Sequence, residues 1–247
     1  MKKRLLITLF LTLLPLLAAA QQYTGMSGLI HTPSADMDPM GVARVGGHFL
    51  NGAFTPDQGF SDGDGKYHTG DFYLSLTPFK WVEVGYTFTL RKRGQDYFGE
   101  KTGKIGFYGK DRYISVKFRV LEEKKWWPSI ALGANDPITT AGEGNACFSN
   151  FYVAATKHFE WGGHQLGLHA AYRYWRRDFN RKWTGPVGAI TYSPPFDHHR
   201  GRVIVEYTGA DFNVGVDYLL FGHVLLQVCL QNGKYFSGGL CYYVNLN

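Results

Sequence analysis

The stretch from Arg202 to Leu246 constrains the fold more than any other. It reads as four short strands separated by tight turns. Val203, Val205 and Tyr207 alternate with Arg202, Ile204 and Glu206, and Val214, Val216 and Tyr218 alternate with Asn213, Gly215 and Asp217. Val224, Leu226, Val228 and Leu230 then alternate with His223, Leu225, Gln227 and Cys229; Phe236, Leu240, Tyr242, Val244 and Leu246 alternate with Ser237, Gly239, Cys241, Tyr243 and Asn245. Successive strand side chains point to opposite faces, so each strand carries one apolar face and one polar or small face. Two folds satisfy that pattern. A soluble sandwich packs the apolar face against a second sheet, whereas an outer-membrane barrel turns it to lipid and keeps the polar face for the lumen.

The N-terminus weighs on this choice. Lys2, Lys3 and Arg4 precede an apolar core from Leu5 to Leu17, and Ala18-Ala19-Ala20 offers a small-residue cleavage site before Gln21. Residues 1–20 are thus expected to be a cleaved signal peptide, and no Cys follows the site to carry a lipid anchor. Cleavage takes three positive charges from a formal net charge of +6, leaving a mildly basic chain, not a nucleic-acid polycation. No later segment is a long apolar run. A membrane-spanning chain of this kind must be a closed barrel, because lipid tolerates no unpaired sheet edge. The 16% aromatic content suits strands and the aromatic girdles of such barrels.

Twelve strands are expected. Eight precede the C-terminal four: Val42 to Phe54, Phe72 to Thr77, Trp81 to Arg91, Tyr113 to Leu121, Ser129 to Ala134, Phe148 to Lys157, Gln165 to Trp175 and Pro186 to Tyr192. Long polar links join them at Thr55 to Lys66, Lys92 to Lys110, Pro137 to Asn145 and Arg177 to Gly185. Most of the alternate links are short, including Pro78-Phe79 and Phe221-Gly222. Long loops at one end and short turns at the other, with an even strand count, match an outer-membrane barrel. The expected fold is a single antiparallel transmembrane β-barrel over 42–247. Residues 21–41, punctuated by Gly25, Gly28, Pro33 and Pro39, form an irregular segment that either plugs the lumen or straps its rim.

The cysteines Cys147, Cys229 and Cys241 are odd in number. A three-residue turn at Asn232–Lys234 sets Cys229 against Ser237 and Cys241 against Leu225. The two thiols then stand about 13 Å apart along the hairpin at the strand rise, beyond the roughly 7 Å Cα separation a disulfide allows.

Catalytic signatures are sparse. The chain contains no Gly-x-Ser-x-Gly elbow, His-Glu-x-x-His, P-loop or Cys-x-x-Cys. The adjacent pair His198-His199 is a poor metal set, since neighbouring side chains rarely converge on one ion. Ser129, Ser149 and His169 have no spacing that brings them together as a hydrolase would need. Neither catalysis, a metal nor a cofactor is expected. Charged residues on the polar strand faces say more: Arg44, Glu83, Lys117, Arg119, Arg173, Arg202, Glu206 and Asp217 are lumen candidates. Lys157 joins them if its ambiguous strand turns it inward. Their mixed sign suggests a cross-linked interior; alternatively they line, with Trp175 and Tyr243, a path for a sugar polymer.

Four stretches taken together resemble the YjbH-like outer-membrane proteins. GLIHTPSADMDPMG resembles the family's opening Gly-Leu-Ile-x-Thr-Pro-(Ser/Thr)-Ala motif, and PSIALGANDPITTAG a mid-chain strand that a Gly-x-x-Asp leads into a loop. FYVAATKHF resembles the strand that follows, and GPVGAITYSPPF with VIVEYTGADFNVGVDYLL the later pair bearing Glu-Tyr and Asn-x-Gly-x-x-Tyr. The matching positions are Gly28, Thr32, Pro33, Asp136, Lys157 and Glu206, and Lys157 would pair with Glu206 if it faces inward. The resemblance implies an outer-membrane barrel associated with exopolysaccharide or capsule assembly or export, with no catalytic residues to carry over. Larger members carry more than one barrel's worth of strands. Expected partners are outer-membrane lipid, a polysaccharide, and periplasmic or outer-membrane export proteins, without nucleic acid. A general small-solute channel and a barrel hydrolase are the alternatives.

Overall fold

In a computed structural model that describes residues 22–57, 60, 66–95, 100–138, 146–195 and 200–246, twelve strands close into one antiparallel barrel. They are β1 Val42–Leu50, β2 Thr69–Phe79, β3 Val82–Gln95, β4 Lys101–Leu121, β5 Ser129–Asn135 and β6 Asn150–Trp161. They continue as β7 His164–Trp175, β8 Gly185–Ser193, β9 Gly201–Tyr207, β10 Phe212–Leu220, β11 Val224–Gln231 and β12 Tyr235–Asn245. Each strand pairs with its sequence neighbours, and β12 closes on β1 with Ala43 opposite Val244 and His48 opposite Gly239. The last hairpin has the register its turn dictates: Cys229 faces Ser237 and Leu225 faces Cys241. None of the three cysteines, all among the described residues, is in a disulfide.

The two faces of each strand meet opposite environments. On β4, Ile114 is 62% exposed while Lys117 is wholly buried. On β9 to β11, Val203, Val205, Val214, Val216, Leu226 and Val228 point outward, and Ile204, Asp217, Leu225 and Gln227 point inward. A soluble core would invert this order. A closed ladder with an apolar exterior satisfies every requirement of a lipid-spanning sheet. Aromatic rings mark both ends of the outer surface: Phe79, Trp81, Phe118 and Trp161 at one, Phe49, Phe236, Phe212 and Tyr174 at the other. No helix among the described residues is long and apolar enough to cross a membrane.

The connections set the ends apart. Gly162 and Gly163 both take positive φ between β6 and β7, which a two-residue turn matched to strand twist demands. Sequence expectation and structure part at three places. β1 stops at Leu50, because the Asn51 side chain accepts from Ala53 N–H (3.0 Å) and caps a 3-10 turn at Gly52–Phe54. Within the expected long loop 92–110, β3 and β4 keep pairing through bulges after Arg91, out to Gln95 and Lys101. Beyond the bilayer both faces of a hairpin meet water, so the ladder persists without alternation. In the expected loop 177–185, a 3-10 segment at Asp178–Trp183 lowers Trp183 toward the barrel mouth.

Residues 22–35 lie buried inside the barrel, and Asp36 to Gly41 lead from there to the start of β1 at the short-turn end. At the long-loop end an aromatic cluster of Tyr23, Phe54, Phe60, Tyr113, Phe148, Trp175 and Trp183 covers the segment. The signal region and His198-His199 lie outside the described residues.

Candidate functional site

The inner wall and the N-terminal segment form one polar network. Residues 28–33 make a tight hairpin, with a bridge between Gly28 and Pro33 and a bond from Leu29 N–H to the Thr32 carbonyl (3.3 Å). Folding the chain back this way turns three consecutive N–H groups to one side. They converge on Glu206, an inward residue of β9: His31 N–H donates to Oε1 at 2.8 Å, Thr32 N–H to Oε2 at 2.9 Å and Ile30 N–H to Oε2 at 3.3 Å. Asn213 Nδ2, across the ladder on β10, donates to Oε1 at 2.7 Å. Successive backbone N–H groups in a turn form a concave anion site, here filled by a carboxylate from the wall.

His31 sits at the tip of that turn. Arg173 donates from Nη1 to the His31 carbonyl (2.7 Å) and from Nη2 to Nδ1 (3.1 Å), and Gln22 Nε2 donates to the same carbonyl (2.7 Å). Tyr23 stacks on the imidazole at 5.0 Å between ring centroids, with Trp183 at 5.1 Å. Burial, reinforced by the positive charges of Arg173 and Lys182, holds the His31 imidazole well below its usual range and therefore neutral.

A second grip lies nearer the short-turn end. Ser27 N–H donates to Glu83 Oε1 (2.7 Å), and the Ser27 hydroxyl donates to Oε2. Lys117 Nζ lies 3.2 Å from Glu83 and donates to Ser27 Oγ (2.6 Å) and the Asp36 carbonyl (2.8 Å). Below it, Asp38 pairs with Arg44, whose guanidinium lies 4.8 Å over the Tyr243 ring. Arg202 and Asp217 pair across the wall at 2.8 Å.

The lumen candidates thus separate into groups. Arg44, Glu83, Lys117, Arg173, Arg202, Glu206 and Asp217 are all buried on the inward face, and all but the Arg202–Asp217 pair hold the segment directly. Arg119 is inward by register but half-buried at the rim, where it donates to the Lys80 carbonyl. Lys157 departs from expectation. Thr156 points inward, so Lys157 takes the outward face and bends to the rim, where Nζ pairs with Glu123 at 2.8 Å. It does not meet Glu206. Trp175 and Tyr243 are buried in packed clusters and line no open path.

The motif positions have distinct backbone duties. Thr32 gives its N–H to Glu206, while Gly28 and Pro33 pair the hairpin arms. Asp136 takes φ of 49°, a left-handed conformation that Asp tolerates, and so ends β5. Three residues earlier Gly133 makes room for Tyr152, whose ring would lie 2.1 Å from any added Cβ. The hydrolase candidates stay apart: Ser129 Oγ donates to the Leu121 carbonyl (3.0 Å), Ser149 Oγ to the Asp136 carbonyl (2.8 Å), and His169 faces Thr156 and Thr191. Sequence reasoning missed Ser27, His31, Asp36, Asp38 and Asn213. The excess of basic over acidic wall candidates was the available signal, since the segment's two aspartates answer it.

A family model described as exopolysaccharide biosynthesis protein YbjH matches residues 20–247. The chain is 25% identical over 275 aligned positions to a protein of Escherichia coli K12 called uncharacterized lipoprotein YjbH. That alignment takes in 92% of this chain but 35% of the relative, so the chain spans about a third of the relative's length. Among solved structures, outer membrane phospholipase A of Escherichia coli aligns with a TM-score of 0.38 at 13% identity, over 85% of this chain and 97% of that one. A porin mutant of Rh. blastica aligns with a TM-score of 0.31 at 13% identity, over 83% and 74%.

Proposed function

Because the chain belongs to the YjbH family of exopolysaccharide biosynthesis proteins, we propose that it is an outer-membrane barrel serving exopolysaccharide or capsule assembly or export, without catalysis of its own. One observation carries the mechanical side of this reading. The family's opening motif, Gly28 to Ala35, lies in the segment, residues 22–35, that fills the lumen. Its residues meet Glu206 and Arg173 on the wall, and the flanking Ser27 and Asp36 meet Glu83 and Lys117. A general diffusion pore keeps a wet lumen. Here the resting barrel is closed, and any passage for polymer requires the segment to leave or shift. A barrel that stays closed instead serves as a membrane anchor or docking body for an export assembly.

Planar-bilayer recording of the purified protein tests this. The intact barrel is expected to show no steady conductance. A variant lacking residues 22–38 is expected to conduct, and the matching exopolysaccharide to block that current. Steady conductance of the intact barrel, indifferent to polymer, would establish the general small-solute channel in place of this reading. In cells, loss of the gene is expected to lower surface exopolysaccharide, with restoration by the intact chain.

A further inference from the structure

We propose that Asp36, His158 and His169 form a divalent-metal site, matched to Zn2+, that fastens the plugging segment to the barrel wall. The donors come from three places that the sequence leaves far apart. Asp36 is on the segment where it descends toward the rim; His158 and His169 point inward from the paired strands β6 and β7. Their rings stand 5.8 Å apart at 79°. The glycine opposite His158 is needed there, because a Cβ on Gly167 would lie 2.8 Å from His169 Nε2 and 2.3 Å from the Thr191 hydroxyl.

The geometry is that of a ligand set rather than a hydrogen-bonded cluster. Asp36 Oδ1 lies 3.8 Å from His158 Nε2, and Oδ2 lies 3.8 Å from His169 Nδ1. One donor atom from each residue falls within 4.8 Å of the other two. These separations are too long for direct hydrogen bonds. Bonds of 2.0–2.1 Å to a tetrahedral ion set donors about 3.3 Å apart, so a modest contraction completes the set. Asp36 Oδ2 is buried and accepts no hydrogen bond.

Each imidazole is also held so that a lone pair faces the centre. Glu123 Oε2 takes the His158 Nδ1 proton at 2.8 Å, which leaves Nε2 as the free donor atom. Thr191 Oγ lies 3.1 Å from His169 Nε2 and can accept the ring proton there, which makes Nδ1 the donor atom; Thr156 Oγ, 3.1 Å from Nδ1 and already accepting from Ala35 N–H (3.0 Å), turns its own proton away when the ion binds. A histidine anchored through its far nitrogen by a carboxylate or hydroxyl is the usual outer shell of a metal ligand. His169 is fully buried, whereas Asp36 and His158 border a cavity of about 860 Å³ at the short-turn end. The cavity gives the ion access and leaves a fourth position for water or a partner's donor.

The test is a Zn2+ titration of the full-length protein in detergent after chelator treatment, read against a chromophoric competitor, with Co2+ as a spectroscopic substitute. One equivalent of Zn2+ is expected, together with the visible absorption of four-coordinate Co2+. Asp36→Asn and His158→Gln should each weaken binding at least tenfold, and Glu123→Gln by about 10- to 100-fold. Heat-modifiable gel mobility identifies variants that remain closed barrels, and the wild-type Co2+ spectrum decides even if a variant does not fold. Absence of stoichiometric binding by the wild type would overturn the proposal. So would binding that survives Asp36→Asn but is lost in a His198→Ala/His199→Ala double variant.

Discussion

The two grips on the plugging segment use the same residue type in opposite ways. Glu83 has its counter-charge beside it in Lys117, and Ser27 is inserted between partners that already neutralise each other. Glu206 is met by backbone N–H groups of Ile30, His31 and Thr32 and by the Asn213 amide. The first grip belongs to the wall and survives without the segment. The second exists only while the segment is in place. A carboxylate whose donors come from a removable peptide has to be rehydrated when the segment leaves, so Glu206 holds the segment in place rather than the barrel together. The Glu-Tyr and Gly-Leu-Ile-x-Thr-Pro motifs, distant in sequence, are thus two halves of one lock.

Substitutions separate the grips by magnitude. Lys117→Met leaves Glu83 buried without its ion-pair partner and should destabilise the barrel by about 3–5 kcal/mol, measured by urea unfolding in lipid vesicles. Adding Glu83→Gln should restore most of that loss, because removing both charges costs less than removing one. If the double variant is no better than the single, the wall pair is not self-contained and the comparison breaks. Glu206→Ala breaks no direct ion pair and leaves mainly neutral donors unsatisfied, so a smaller loss of about 2–3 kcal/mol is expected. The context should then reverse its sign. In a barrel lacking residues 22–38, Glu206→Gln should be neutral or stabilising, whereas Lys117→Met should remain harmful. A double-mutant cycle in both backgrounds checks this.

What the sequence shows and what it hides divide along the same wall. The outward face answers to one solvent, lipid, and a single rule of alternation recovers twelve strands, their faces and the register of the last hairpin. Where that solvent ends, so does the rule: Lys101 to Lys110 continue as strand with charged residues and Gly in place of alternation. The inward face answers to a particular peptide. Nothing in the period of β9 reveals that Glu206 awaits three N–H groups from a turn about 175 residues earlier. Lys157 shows the limit at a single position. A lysine four residues from the end of β6 reads as lumenal by charge, yet its long stem crosses the outer surface so that its ammonium reaches Glu123 at the edge. The His158–His169 cluster escaped notice for a third reason: its third member is on the segment, whose place in the lumen no strand pattern reports.

The smallest effect belongs to the clamp over the barrel mouth. Asp57 pairs with Lys66 at 2.7 Å and with Lys182 at 3.2 Å, which ties the β1–β2 loop to the 3-10 segment carrying Trp183 over the plug. It resembles the Glu83 grip in chemistry but lies in water, with Asp57 about half exposed. Partial burial works to raise the Asp57 carboxyl, but the two ammonium groups outweigh it and hold it below its usual range. A depressed carboxylate contributes stability above its unfolded value near 3.8 and loses it as pH falls through the lower folded value. Solvent screening keeps that contribution small, so Asp57→Asn should cost no more than about 0.5 kcal/mol at pH 7. The difference from wild type should vanish in about 1 M salt, where the screening length falls to roughly 3 Å. Lys117→Met should keep its full effect in the same salt. If both variants respond alike, the lumen is wet enough to screen its charges, and the distinction between a sealed grip and a surface clamp fails.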